Sequence, residues 1–224
     1  MDRLLSNLKI TIHDDLYLKD PESSSLGKKI VEESILLLDE IGFDAFTFKK
    51  LGIRIESNES SIYRYFENKH KLLLYLTSWY WGWLEYQLVF ETNSIANQKM
   101  KLERAIHIIC RTTTEDLAFT HINEVALNRV IINENSKSFL TKEVDQENKQ
   151  GYFSIYKRLV QRLTDMIESF DPSYPYPASL ASTVVEGSLH QHYIKDHFKS
   201  LTVCDQKASV EEFFTHLVLT TLKA

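Results

Sequence analysis

Ile62-Tyr63-Arg64-Tyr65-Phe66-Glu67-Asn68-Lys69-His70-Lys71-Leu72-Leu73 is the stretch that decides the fold. Ile62, Tyr65 and Phe66 fall on one side of a helical turn, so they read as core. Arg64 falls on the other side, with Ser60 and Ser61 one turn earlier, so these three read as exposed. Asn68 is a good N-cap, and it predicts a long aromatic helix from Lys69 to about Glu91. Ten residues upstream Asn58 has the same role for a short helix, Glu59 to Tyr65.

Further out, Thr47 caps a second short helix, Phe48 to about Ile53. Gly42 stands where a glycine ends a preceding helix. That first helix begins near Gly27 and carries Ile30, Leu37, Leu38 and Ile41 on one face, with Ser34 as a small residue in the stripe. Three helices in ~40 residues, the last two closely joined, is the size of a helix-turn-helix unit.

The segment Gly27–Leu73 resembles the DNA-binding domain of the TetR family of regulators. The resemblance rests on Ile30-Val31, on Leu37-Leu38, on Gly42-Phe43-Asp44-Ala45-Phe46-Thr47-Phe48 and above all on residues 62–73. There the family pattern is an apolar residue, Tyr, any residue, Tyr or His, Phe, two more, Lys, two more, then Leu-Leu. It covers about a fifth of the chain. It implies an all-α fold, with an N-terminal three-helix helix-turn-helix domain and a larger helical domain for ligand binding and dimerisation. It also implies that Tyr63 and Lys69 contact DNA phosphates.

Physical chemistry adds its own candidates. A recognition helix must present its first residues to base edges in a groove ~12 Å wide. Ser60, Ser61 and Arg64 are suited to that. Thr47 and the amides after it form a second phosphate site, because helix N-termini attract anions. Lys49 and Lys50 add charge there, and Lys28 and Lys29 add it from the first helix. Four positions depart from the family pattern: Glu56 stands where it prefers Gly, Ser57 where it has Val, Glu59 opens the recognition helix, and Gly52 replaces Ala at a cost of ~1 kcal/mol in helix propensity. Between Gly27 and Tyr75 the acids and bases balance, so the head is neutral overall.

The rest of the chain sets the frame. With 224 residues, 43% hydrophobic and 25% charged, it is an ordinary globular chain, and 6 Gly and 4 Pro disfavour a turn-rich β fold. A net charge of -5 confines nucleic-acid binding to a local patch. Cys110 and Cys204 show no metal or redox spacing. No signal peptide is read at the start, which makes a cytoplasmic location the expectation. The uncharged run Leu72–Leu84 is shorter than the ~20 residues of a membrane span, so no membrane partner is expected. No Gly-x-Ser-x-Gly, phosphate-loop or His-Glu-x-x-His pattern occurs, so no enzyme, cofactor or metal centre is expected.

The expected division is a leader at 1–24, a DNA-binding domain at 25–75 and an effector and dimerisation domain at 76–224. Alternation at Leu8, Ile10 and Ile12 is strand-like. Beyond residue 93 the pattern predicts helices at Gln98–Leu117, Ile122–Glu134, Phe139–Phe170, Ala178–Ser200 and Ser209–Leu222, about nine in all. Trp79, Trp83, His107, His121 and His190 are candidates for an effector pocket. Leu180, Val184, Gly187, Gln191, Ile194 and Phe198, with the stripe Val210, Phe213, Phe214, Leu217 and Val218, are candidates for a homodimer through the last two helices. The first functional reading is a ligand-responsive dimeric repressor on a palindromic double-stranded operator, its effector an unidentified small molecule. The alternative is a TetR-like helical small-molecule binding module with weak or lost DNA binding, supported by Glu56, Glu59 and the neutral head.

Overall fold

In the computed structural model, residues 10–113, 121–204 and 208–222 are described. Among them every regular element is helical: α1 (Ser25–Ala45), α2 (Phe48–Arg54), α3 (Glu59–Ile62), α4 (Lys69–Thr92), α5 (Gln98–Cys110), α6 (Glu124–Glu134), α7 (Ser136–Phe139), α8 (Val144–Lys149), α9 (Ser154–Phe170), α10 (Pro177–His197) and α11 (Val210–Thr221). Eleven α-helices stand where nine were expected, and one stretch accounts for the difference. The expected helix Phe139–Phe170 is divided into α8 and α9, and the separate short α7 ends where it was to begin, because Leu140 leaves helical geometry and Gly151 adopts φ 88°. Neither break lies at a proline, and the apolar spacing continues across both.

The chain forms two compact units. One holds residues 1–80 with 113–154, the other 81–112 with 155–224. Helix α4 begins in the first and ends in the second.

In the first unit, Ser24 caps α1 by accepting from the Gly27 amide at 3.1 Å. The buried face of α1 is Ile30, Val31, Ile35 and Leu38, and α6 packs on this helix. Gly42 stands at φ 71°, ψ 165° and breaks the helical path, as its position in the sequence predicted. Asn68 Oδ1 accepts from Lys71 N at 2.9 Å and so opens α4. Leu72, Leu73, Leu74, Tyr75 and Leu76 are all buried, so the start of α4 is core on every side. The expected strand-like leader is corrected. Its described part forms short 3-10 turns at Asp14–Leu16 and Pro21–Ser23. Leu16 is buried and the Leu18 amide donates to Tyr65 O at 2.7 Å, so the leader packs onto the unit.

In the second unit, α10 and α11 both pack on α5 and on each other. Helix α5 ends at Cys110, where Arg111 turns extended, short of the expected Leu117; residues 114–120 lie outside those described. Ser209 and Glu212 form a reciprocal capping box that starts α11. Of the stripe predicted on α11, Val210, Phe214 and Val218 are buried, whereas Phe213 stays exposed.

Candidate nucleic-acid interface

Helices α2 and α3 are joined by a tight turn whose hydrogen bonds define a Schellman motif. The Ser57 amide donates to Gly52 O at 2.9 Å and the Glu56 amide to Ile53 O at 3.2 Å. The residue that a Schellman motif places in left-handed conformation is Glu56, at φ 57°. Gly52 lies beneath the turn, and a Cβ there would come within 2.9 Å of Ser57 O. The two departures from the family pattern are thus one structural feature: the bare backbone has moved from the turn into the helix under it.

The turn presents α3 with its cap. Asn58 Oδ1 accepts from Ser61 N at 2.9 Å and from the hydroxyls of Ser60 and Ser61, both at 2.7 Å. Ser60 is exposed and Ser61 half-buried. The helix closes at Ile62, earlier than the expected Tyr65. Ile62, Tyr65 and Phe66 are buried as predicted. Tyr63 is 46% exposed, with its ring edge-on to Phe48 at 5.0 Å. Arg64 is exposed and makes no hydrogen bond or ion pair with the described residues.

That freedom contrasts with Arg54, which is held by Glu33 at 2.6 Å and by Glu40. Two acids of the neutral head are therefore spent internally on one base. Asp39 and Asp44 are spent as well, on Arg129 at 2.6 Å and Lys137 at 2.8 Å. Lys137 holds the exposed Asp44 carboxyl below the usual carboxylate range through this bond and its charge. Among the described residues Lys29, Lys49 and Arg64 are exposed and form no ion pair, and the same holds for Glu56 and Glu67. Lys28 lies 4.0 Å from Glu22. Thr47 Oγ1 accepts from Lys50 N at 3.2 Å and so caps α2.

Lys69, which the resemblance assigns to a DNA phosphate, is half-buried. Its Nζ donates to Phe43 O at 2.9 Å and Phe46 O at 3.2 Å, and sits 4.5 Å from the centre of the Phe43 ring. The same segment is gripped from α6, where Glu134 Oε1 accepts from the Phe43 amide at 2.9 Å. Arg129, Glu134 and Lys137, some 90 residues away in sequence, were not found by sequence reasoning. Nothing local marks them, since their function is defined only by what α1 brings against them.

The effector candidates are dispersed. Trp79 and Trp83 are both buried. His121 belongs to the first unit and meets Glu22 at 2.7 Å. His107 and His216 line a groove of about 500 Å³ in the second unit, and His190 is exposed on α10. Among the described residues no group of three or more His, Cys, Asp or Glu is placed to hold a metal ion. No helix of the described residues is long and apolar enough to cross a membrane.

The second unit buries charge instead. Burial alone would raise the Glu85 carboxyl; Arg158 and Arg162, each bonded to it at 2.6 Å, more than reverse that and lower it. Burial raises Glu186, with the Tyr156 hydroxyl working against it. Burial holds His192 below its ordinary value, with Nε2 donating to Cys110 O at 2.8 Å.

Residues 30–76 match the family model of bacterial regulatory proteins, tetR family. No curated protein matches the chain. Among solved structures, that of apo AibR aligns with a TM-score of 0.54 and 17% identity, covering 86% of this chain and 95% of that one. AibR in complex with isovaleryl coenzyme A and operator DNA aligns at 0.57 and 17%, covering 86% and 97%. The superantigen PfiT aligns at 0.62 and 13%, covering 90% and 97%. At these identities the likeness is one of fold.

Proposed function

We propose, from the match of residues 30–76 to the model of the tetR family of bacterial regulatory proteins, that this chain is a ligand-responsive dimeric repressor of a palindromic operator. Residues 25–75 are the DNA-binding domain, and the helices beyond them receive the effector and the second subunit. The observation that carries the reading is Arg64: an exposed guanidinium with no partner among the described residues, directly after a capped three-donor helix start. Such a group pairs with a guanine edge or a phosphate. Ser60, Ser61 and Tyr63 supply neutral donors beside it, and Thr47, Lys49 and Lys28 supply the flanking phosphate contacts. Lys69 acts differently in this proposal. It fixes the end of α1 against α4, and so sets the orientation of the head.

AibR, which shares the fold, has been solved with both an acyl thioester and operator DNA. That supports an effector housed in the helical domain, with Trp79, Trp83, His107, His121 and His190 as its first candidates. Dimerisation is assigned to α10 and α11, where Phe198, at the end of α10, and Phe213, on α11, are exposed. Fluorescence anisotropy with labelled duplexes from the promoter region of its own gene tests the reading. Arg64→Ala should weaken binding and reduce the salt slope by about one if the contact is to a phosphate, or relax one base preference if it is to guanine. A second reading, a helical small-molecule module that leaves DNA alone, is favoured by Glu56 and Glu59 beside the recognition helix. Absence of salt-sensitive binding to any of those duplexes would establish it in place of the first.

A further inference from the structure

We propose that the cleft between the start of α4 and α8 binds a small organic cation bearing an amine or guanidine. The cleft lies wholly within the first unit and measures about 540 Å³, within the range of small-molecule sites. Its floor is Glu147, a carboxylate only 7% exposed. Glu147 Oε1 meets His70 Nε2 at 2.8 Å. Glu147 Oε2 is shut off from solvent without a hydrogen-bond partner, and so is Thr141 Oγ1 on the same lining. A buried carboxylate oxygen without a donor is costly, so the floor of this cleft calls for one.

The walls define what kind of donor fits. Glu67 and Glu143 add two exposed carboxylates at the rim, and Gln146 and Gln150 add amide acceptors. The one lysine, Lys71, is already directed elsewhere: its Nζ donates to Asp15 O at 3.3 Å and lies 3.8 Å from the centre of the Tyr152 ring. Among the charged side chains of the lining, carboxylates are therefore in excess. An anion would be repelled by Glu67, Glu143 and Glu147. An ammonium or guanidinium offers several N–H donors and a compensating charge.

The site adjoins Asn68, the cap of α4, and Lys69, which holds the end of α1. An occupant would thus touch the turn that follows the recognition segment. Its effect on DNA binding rests on the regulator reading above, but its existence does not. Isothermal titration of the full chain, without DNA, uses putrescine and agmatine as cationic probes, with glucose and inorganic phosphate as neutral and anionic ones. The expected result is salt-sensitive binding of one or both cations and none of the others. Glu147→Gln should weaken it about tenfold, and Thr141→Val and Glu143→Gln should weaken it less. Glu168→Gln, an exposed change in the second unit, should leave it unchanged. The proposal is overturned if neither cation binds, if glucose or phosphate binds in their place, or if cation binding is unaltered in Glu147→Gln and Thr141→Val alike. Cation binding by a chain that engages no duplex would leave this site standing and sink the regulator reading.

Discussion

Two turns frame the head of this molecule, and they treat glycine in opposite ways. At the end of α1, Gly42 occupies φ 71°, ψ 165°, a region essentially closed to residues with a Cβ. At the end of α2, the left-handed position of the Schellman motif is filled by Glu56, and the glycine sits four residues earlier at Gly52. In the first turn glycine serves dihedral freedom; in the second it serves close approach. The same residue type thus answers two different steric demands about ten residues apart, and substitution distinguishes them.

Gly42→Ala should have the largest effect. Its Cβ would stand in a forbidden region and 3.1 Å from Glu134 Oε1, the oxygen that receives the Phe43 amide. A loss of ~3 kcal/mol is expected from the backbone alone, read as a lowered urea midpoint with an unchanged slope. A wild-type midpoint would mean that the turn relaxes into another path. Gly52→Ala comes next. Helix propensity alone favours the change by ~1 kcal/mol, but the close approach to Ser57 O opposes it with ~1–3 kcal/mol of overpacking. Net destabilisation is expected, and a stabilised protein would show that the α2–α3 turn can retreat. Asn58→Ala should cost ~1 kcal/mol as a lost cap. It should also free the Ser60 and Ser61 hydroxyls, so DNA affinity should fall less than stability does. Equilibrium unfolding and anisotropy on the same samples compare the two.

These turns also mark how far the sequence could be read. Gly42, Thr47, Asn58 and Asn68 were legible because a cap or a stop depends on residues within one turn of it. The core residues Ile62, Tyr65 and Phe66 were legible from spacing. The subdivision of 139–170 was not, since apolar spacing runs on through Leu140 and Gly151. The contacts of Lys69 were not either: a lysine in a first helical turn reads as a free charge, and only packing shows the carbonyls of residues 43 and 46 beside it. The partners Arg129, Glu134 and Lys137 were out of reach for the same reason. Charge counting was also limited at the head, where a balance of acids and bases says nothing of how they pair. The sum hides that Glu33, Glu40, Asp39 and Asp44 are each consumed by a base, two of them by a single arginine.

Glu56→Gly carries the comparison to its finest point. A non-glycine residue in left-handed conformation carries a strain of ~1 kcal/mol, and the exposed Glu56 side chain makes no bond among the described residues to offset it. Glycine should relieve that strain, yet it also loosens the unfolded chain, which returns part of the gain. A net stabilisation of ~0.5 kcal/mol is therefore expected, with the rise in midpoint kept when Gly52 is left in place. Removal of the carboxylate beside α3 should also strengthen DNA association, most at low salt, where exposed charges are least screened. Stability and affinity should rise together, because one side chain imposes both the strain and the charge. If glycine stabilised the fold but left DNA affinity unchanged at low salt, Glu56 would lie outside the field of the bound duplex, and the recognition surface would have to be redrawn around Arg64 and Tyr63.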